Sequence, residues 1–453
     1  MRKSLSTKNP LSGETAQEFL RQQIGKILSI LIVLSSAFLL YQYREGGIKD
    51  AGLTDTSIRD VGGYITTGKR IFDQVNPYIP DGELWGGARW GTFGTIPVAL
   101  ISELIPRFLQ VVFFQTLGLL GLYLFLATIF RKIPKVYIYS IFLLLIWSSS
   151  YREMLATNQI IGMVLGLVAL GVNGLFLYEG NKRHLIKFLG TLSFVIALDL
   201  KPHISGLMIV GLYLFFRRGL DFVWLVTLYV VTHAAVNVYL GRIAELDWIE
   251  KVGTLSDRAN KNELGDSVTF WPVIRKYINL EGSFGIVSKI TLLLLVLLTF
   301  WRAYRRYWGS FVFLSFFAPA FSIYFHYYDA VPLVGLILWA ILSRQKSILT
   351  FVVLDLLIIS KEASSLKNIV LVITISFMVA IFSTSSNSTR ARNLVFSVIG
   401  FGAWQLIYYA NSKLNLNQYE LQSLVVTEVL VLAAIFFIQS GRGSDKLENF
   451  RNQ

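Results

Sequence analysis

Long apolar runs recur from one end of the chain to the other, and this recurrence restricts the fold more than any single motif. About 20 apolar residues carry a helix across the hydrocarbon layer, and fewer suffice where neighbouring helices shelter it. By that measure spans are expected near 27–43, 108–130, 136–150, 159–178, 186–200, 203–216, 222–240, 287–301, 310–325, 330–343, 347–360, 368–383, 394–410 and 424–439. A segment in lipid must satisfy its own backbone N–H and C=O groups, which a helix does. The runs therefore predict an all-α polytopic membrane protein with about 13–14 membrane helices. Composition agrees, since 54% of the 453 residues are hydrophobic and only 15% are charged, which makes a soluble core the poorer account.

The formal net charge of +14 is spread through short loops, where cytoplasmic retention of Lys and Arg explains it better than a nucleic-acid partner would. Alternate loops are basic: "RKIPK" from Arg131, "NKRHLIK" from Asn181, "FRR" from Phe216, "RAYRR" from Arg302, "SRQK" from Ser343 and "RAR" from Arg390. This alternation predicts a multi-pass protein of the cell membrane with both termini cytoplasmic. The first span follows Arg2, Lys3, Lys8, Arg21 and Lys26 and has no small-residue cleavage pattern after it, so it reads as a retained signal anchor. Two outside segments, 44–107 and 241–289, are much longer than the rest. The expected organisation is a cytoplasmic tail at 1–26, a membrane module at 27–345 containing those two loops, further membrane helices at 346–440 and a cytoplasmic tail at 441–453.

Residue types limit the chemistry. There is no Cys, and the four histidines are His184, His203, His233 and His326, so thiolate nucleophiles and HExxH-type metal motifs are absent. No motif implies a metal or a cofactor. Carboxylates, bases, hydroxyls and lone histidines remain.

The first long outside segment contains "RDVGGYITTGKRIFDQVNPY", Arg59–Tyr78. Val61, Ile65, Phe72 and Val75 form one stripe of a helix, with Gly68 in the missing turn, and Asp60, Tyr64 and Thr67 form a second stripe beside it. The segment is too polar to span, and it reads as a helix lying at the outer interface, started by Asp60 and stopped by Asn76-Pro77. Capping alone accounts for an Asp at that position.

Asp60, Tyr64, Gly68 and Asn76-Pro77-Tyr78 also resemble a pattern of glycosyltransferase family 87, in which an Asp is followed by an aromatic, a small residue and then Asn-Pro-Tyr. "WGTFGTIPVALISELIP", Trp90 to Pro106, is similar to the family's aromatic, proline-containing approach to its next membrane region, with one proline, Pro97, where the family often has two. "ATNQIIGMVLGLVAL" resembles the family's Gly-Gln-x-Asn opening of a span, with Asn158-Gln159 here and no Gly. "DLKPHISGLMIVGLYLFFRR" resembles its Lys-Pro block, and "APAFSIYFHYYDAVPLV" its His-containing block around His326.

The resemblance implies a GT-C fold and an enzyme that transfers a hexose, mannose above all, from a polyprenyl phosphate to an acceptor hydroxyl on the extracytoplasmic face, with inversion. Membrane lipids, a lipid-linked sugar donor and a glycolipid or glycan acceptor are then the partners. Asp60 falls at the family's catalytic carboxylate, with Asp55 its nearest rival. Such a base must take a proton from the acceptor, and cations must hold the departing phosphate.

Lys201, His203, Arg152 and His326 stand at expected outside ends of spans and suit the phosphate. Tyr64, Asn76, Tyr78, Asn158, Gln159, Trp271 and Tyr328 are the substrate-binding candidates. Each has a plainer reading. Lys201 can snorkel or pair with Asp199, and Arg152 can pair with Glu153. His203 can simply pack near a helix end, and His326 with Tyr327 and Tyr328 can form an interfacial belt. Trp271 can anchor a surface helix. A transporter or flippase of lipid-linked sugars or lipids shares the span count and basic loops, and would give a role to Asp355, an acidic residue inside an apolar span.

Overall fold

The computed structural model describes residues 13–44, 59–78, 91–131, 133–178, 180, 183–244, 246–247, 284–321 and 326–344. Among the described residues there are helices and no strands. The helices are α1 (Gly13–Gln42), α2 (Arg59–Phe72), α3 (Thr95–Leu104), α4 (Arg107–Ile129), α5 (Lys135–Trp147), α6 (Ser149–Ala156) and α7 (Ile161–Val172). They continue with α8 (Arg183–Leu200), α9 (Pro202–Phe216), α10 (Gly219–Leu240), α11 (Phe284–Tyr304), α12 (Trp308–Phe317) and α13 (Val331–Arg344). Each span expected between 27 and 343 overlaps one of these helices, and the end of the one expected at 310–325 lies outside the described residues. The expected spans after 346, Asp355, Asp55 and Trp271 lie outside the described residues.

Among the described residues four stretches are long and apolar enough to cross a membrane: Arg21–Gln42, Arg107–Ile129, Gly219–Leu240 and Ile286–Tyr304. A fifth is added if the bent pair of α6 and α7 counts as one span. Helices α1, α10 and α11 turn large apolar side chains outward, among them Ile30, Val33, Trp224, Val231, Leu293 and Leu297. Lipid, not water, suits such faces.

Prolines punctuate the bundle. Pro106 and Pro134 precede the first residues of α4 and α5, and Pro202 is the first residue of α9, where its missing N–H costs nothing. Pro202 also disfavours helical geometry in the residue before it. Lys201 accordingly has φ −147° and ψ 78°, and it forms a one-residue joint between α8 and α9.

Helices α4 and α7 meet backbone to backbone. A Cβ on Gly121 would lie 2.2 Å from the Gly162 carbonyl oxygen, and one on Gly162 would lie 2.2 Å from that of Gly118. Small residues permit this close approach, as they do wherever membrane helices touch directly. We predict that Gly162→Leu forces the pair apart at a cost of at least ~1–3 kcal/mol, read as a lower melting temperature of the protein in detergent.

Helix α2 corrects one expectation. Val61 and Ile65 are buried as the stripe predicts, but Phe72 and Val75 are exposed, and Tyr64, Thr67 and Ile71 are buried in their place. The reason is α3, which α2 packs against. A Cβ on Gly68 would lie 2.5 Å from Ala99 Cβ and 2.6 Å from the Thr95 carbonyl oxygen, so Tyr64 and Thr67 of the second stripe join Val61 and Ile65 in the packing face. The helix also stops before Asn76-Pro77. Gln74, at φ 55°, ends it, with the N–H groups of Gln74 and Val75 bonding back to Ile71 O and Arg70 O, the pattern of a Schellman turn. Asn76 Oδ1 then accepts the Tyr78 N–H at 2.9 Å.

Candidate active site

The Lys201 joint is buried, with the residue only 4% exposed. Its ammonium lies 3.5 Å from Asp329 Oδ1 and 5.2 Å from the centroid of the Tyr328 ring. The other oxygen of Asp329 accepts the His326 backbone N–H at 2.8 Å and lies 3.6 Å from His203 Nε2. Tyr328 stacks on the His326 ring at 4.8 Å. Lys201, His203, His326 and Tyr328 therefore converge. They converge on Asp329, whose role the sequence does not announce.

Asp329 sits in a short 3-10 turn, Tyr327–Ala330, ahead of α13, outside the stretches long enough to span. Burial pushes its carboxyl up, but Lys201 first, then His203 and His326, outweigh that and hold it well below the usual carboxylate range. The turn thus carries a fixed negative charge facing a lysine and two histidines. At 3.5 Å the contact is longer than the ~2.8 Å of a strong charge-assisted bond, so the ammonium keeps directional capacity for an incoming anion.

Lys201 neither snorkels nor pairs with Asp199. Asp199, also buried, binds His233 Nε2 through Oδ1 at 2.9 Å, and His233 Nδ1 lies 2.9 Å from Tyr229 O. Its other carboxylate oxygen accepts the N–H of Gly94, the residue that starts α3, and its carbonyl accepts the Gly91 N–H at 3.1 Å. A Cβ on Gly91 would lie 1.5 Å from Asp199 Oδ1. The pair thus clamps the start of α3, and through Gly68 the clamp reaches α2. We predict that His233→Phe, which leaves the buried carboxylate of Asp199 without its side-chain partner, lowers stability by ~3 kcal/mol, measured as thermal unfolding in detergent.

Helix α2 approaches the joint directly, since Tyr64 OH donates to Leu200 O at 3.4 Å. Asp60 holds a helical position one turn before Tyr64 on the same face. Its side chain lies outside the described residues. Asn76 and Tyr78 take a different place: Tyr78 is buried against Ala244 and Leu240, and Tyr239 OH donates to Phe72 O. They fasten the end of α2 to the end of α10.

The chain between α6 and α7 bends by 109°. Asn158, at φ 51°, makes this possible, because Asn tolerates left-handed geometry. Its N–H bonds Leu155 O and the next N–H, of Gln159, bonds Met154 O, again a Schellman turn. So Asn158 has a structural task, and Gln159 precedes α7 instead of opening it. Helix α6 packs against the Tyr327–Ala330 turn, which brings Arg152, Asn158 and Gln159 to the Lys201 end of the bundle. Arg183 opens α8 and Arg217 follows α9, so both lie at the ends of these helices away from Lys201.

The sequence offered Asp199 only as a partner for Lys201, and it assigned no role to His233 or Asp329. The available signal was cost: each is an ionisable group in or beside an apolar helix, which implies a partner without naming it.

The family model described as glycosyltransferase family 87 matches residues 91–323, more than half of the chain. The matched stretch contains Arg152, Asn158, Gln159, Lys201 and His203, and it stops short of Asp60 and Tyr64 on one side and His326 and Tyr328 on the other. Neither a curated protein nor a solved structure matches the chain.

Proposed function

The chain belongs to glycosyltransferase family 87, whose members are membrane glycosyltransferases, and from that membership we propose that it transfers a hexose, mannose, from a polyprenyl phosphate to a lipid or glycan hydroxyl on the extracytoplasmic face. The fold proposed is GT-C. In the reaction the acceptor oxygen attacks the anomeric carbon from the side opposite the phosphate, and configuration inverts. As the new C–O bond forms, the acceptor proton passes to the Asp60 carboxylate. The bond from the anomeric carbon to the phosphate oxygen breaks with its electron pair, and polyprenyl phosphate leaves.

One observation carries this reading: a buried lysine set in a one-residue helix joint, held by a long contact to Asp329, which His203 also approaches. Such a cluster suits a phosphate monoester or diester arriving from the lipid side, where a desolvated ammonium is worth more than in water. Arg152 stands on the neighbouring α6 and adds a further cation. Tyr64 supports the placement of the base, because it ties the helix that bears Asp60 to the residue before Lys201.

The test is purified full-length protein in detergent or vesicles, given polyprenyl phosphate mannose and a membrane lipid extract. A mannosylated lipid or glycan product with release of polyprenyl phosphate is the expected result. Movement of the intact donor across vesicle bilayers without any sugar transfer would overturn it in favour of a flippase.

A further inference from the structure

We propose that the elbow between α6 and α7 is the subsite for the donor's hexose and reads ring hydroxyls, not phosphate; this rests on the glycosyltransferase reading above. The observation is a concentration of buried polar atoms without hydrogen-bond partners: Gln115 Oε1, Ser150 Oγ, Tyr151 OH, Arg152 Nε, Asn158 Nδ2 and Gln159 Oε1. Ser150 and Tyr151 are fully buried, and Gln115, Asn158 and Gln159 are more than nine-tenths buried. Buried polar atoms are almost always bonded. Leaving several unbonded in one bend and on the α4 side chain that reaches it is costly, and the cost is recovered when a ligand supplies the partners.

The types of atom identify the ligand. Gln115 is oriented by its own amide nitrogen, which donates to Leu155 O at 3.0 Å and Tyr43 O at 3.2 Å, so its oxygen is left to accept. Gln159 likewise presents an unbonded oxygen. Two acceptors repel a phosphate, whose oxygens only accept. Hydroxyl groups both donate and accept, and a sugar ring carries several, so it can meet the two amide oxygens with its own O–H groups. It can take the Asn158 N–H and the Ser150 and Tyr151 hydroxyls on its oxygens. Arg152 Nε serves either ligand and does not decide the matter. Helix α6 packs against the Tyr327–Ala330 turn, and Asp329 of that turn meets Lys201 and His203, so the hydroxyl-reading set and the phosphate cluster adjoin the same turn, as a sugar phosphate requires.

The experiment compares two probes on the purified full chain: undecaprenyl phosphate mannose and undecaprenyl phosphate without sugar. Native protein is expected to bind the first more tightly than the second. Gln159→Leu should reduce that surplus by roughly tenfold and leave the affinity for the sugarless lipid unchanged. Tyr151→Phe guards against a trivial loss of folding, because deleting an unbonded hydroxyl leaves the melting temperature of the ligand-free protein equal or higher while the sugar surplus falls.

Equal binding of the two probes by native protein overturns the subsite and leaves the glycosyltransferase reading standing on the transfer assay. So does a Gln159→Leu variant that weakens both probes alike, or a Tyr151→Phe variant that melts earlier. Native protein that binds neither lipid and transfers nothing removes the glycosyltransferase reading itself.

Discussion

Asp60→Asn protein is expected to bind a polyprenyl phosphate donor as the native protein does and to transfer its sugar roughly 100- to 10,000-fold more slowly, the range that a positioned general base contributes. The substitution keeps volume and shape and removes only the capacity to take a proton. Helix α2 is anchored independently of Asp60, by Gly68 against Thr95 and Ala99 and by Tyr64 on Leu200 O, so the variant should fold. Single-turnover transfer and donor binding, measured on the same preparation, separate the two effects. Transfer at the native rate would remove Asp60 from the reaction, and the same substitution at Asp55 would then be the next to measure.

Lys201→Met carries the second large effect, and it is double. The substitution leaves the buried carboxylate of Asp329 without its nearest full positive charge, which should destabilise the protein by ~3–5 kcal/mol. It also removes the cation proposed for the donor phosphate. A second substitution divides these contributions. In Lys201→Met with Asp329→Leu, the uncompensated charge is gone and an apolar pair fills the space, so the melting temperature should recover most of its loss. Donor affinity should not recover. If the double variant regains both, Lys201 is a structural partner of Asp329 and nothing more.

Periodicity made the helices legible. Lipid-scale apolar runs and the prolines at 106, 134 and 202 mark their ends closely, because a bilayer and a missing N–H impose one-dimensional rules that a sequence displays. Packing faces were harder. Phe72 and Val75 extend the stripe of Val61 and Ile65, yet the face that wins joins those last two to Tyr64, Thr67 and Ile71, because Gly68 lets α3 come within backbone distance there. No count of apolar residues on α2 can anticipate which side a neighbour will occupy.

The same division runs through the site. Lys201, His203, His326 and Tyr328 could be picked out as polar groups at the ends of spans, and they do converge. Their partnerships could not be read. Lys201 has Asp199 two residues away and takes Asp329 instead, more than a hundred positions later, while Asp199 is held by His233 from the middle of α10. Such pairings are decided by which helices touch, and the sequence carries that information only through the small residues at their crossings.

The crossing of α4 and α7 has a mechanical consequence. Where Gly118, Gly121 and Gly162 bring two main chains into contact, no cushion of side chains exists on which one helix could slide or swivel over the other. Gly162 stands at the second position of α7, a few residues beyond the bend, so the bend inherits that stiffness. Groups mounted there are already in position when a ligand arrives, and whatever yielding is needed to admit it falls to other parts of the molecule.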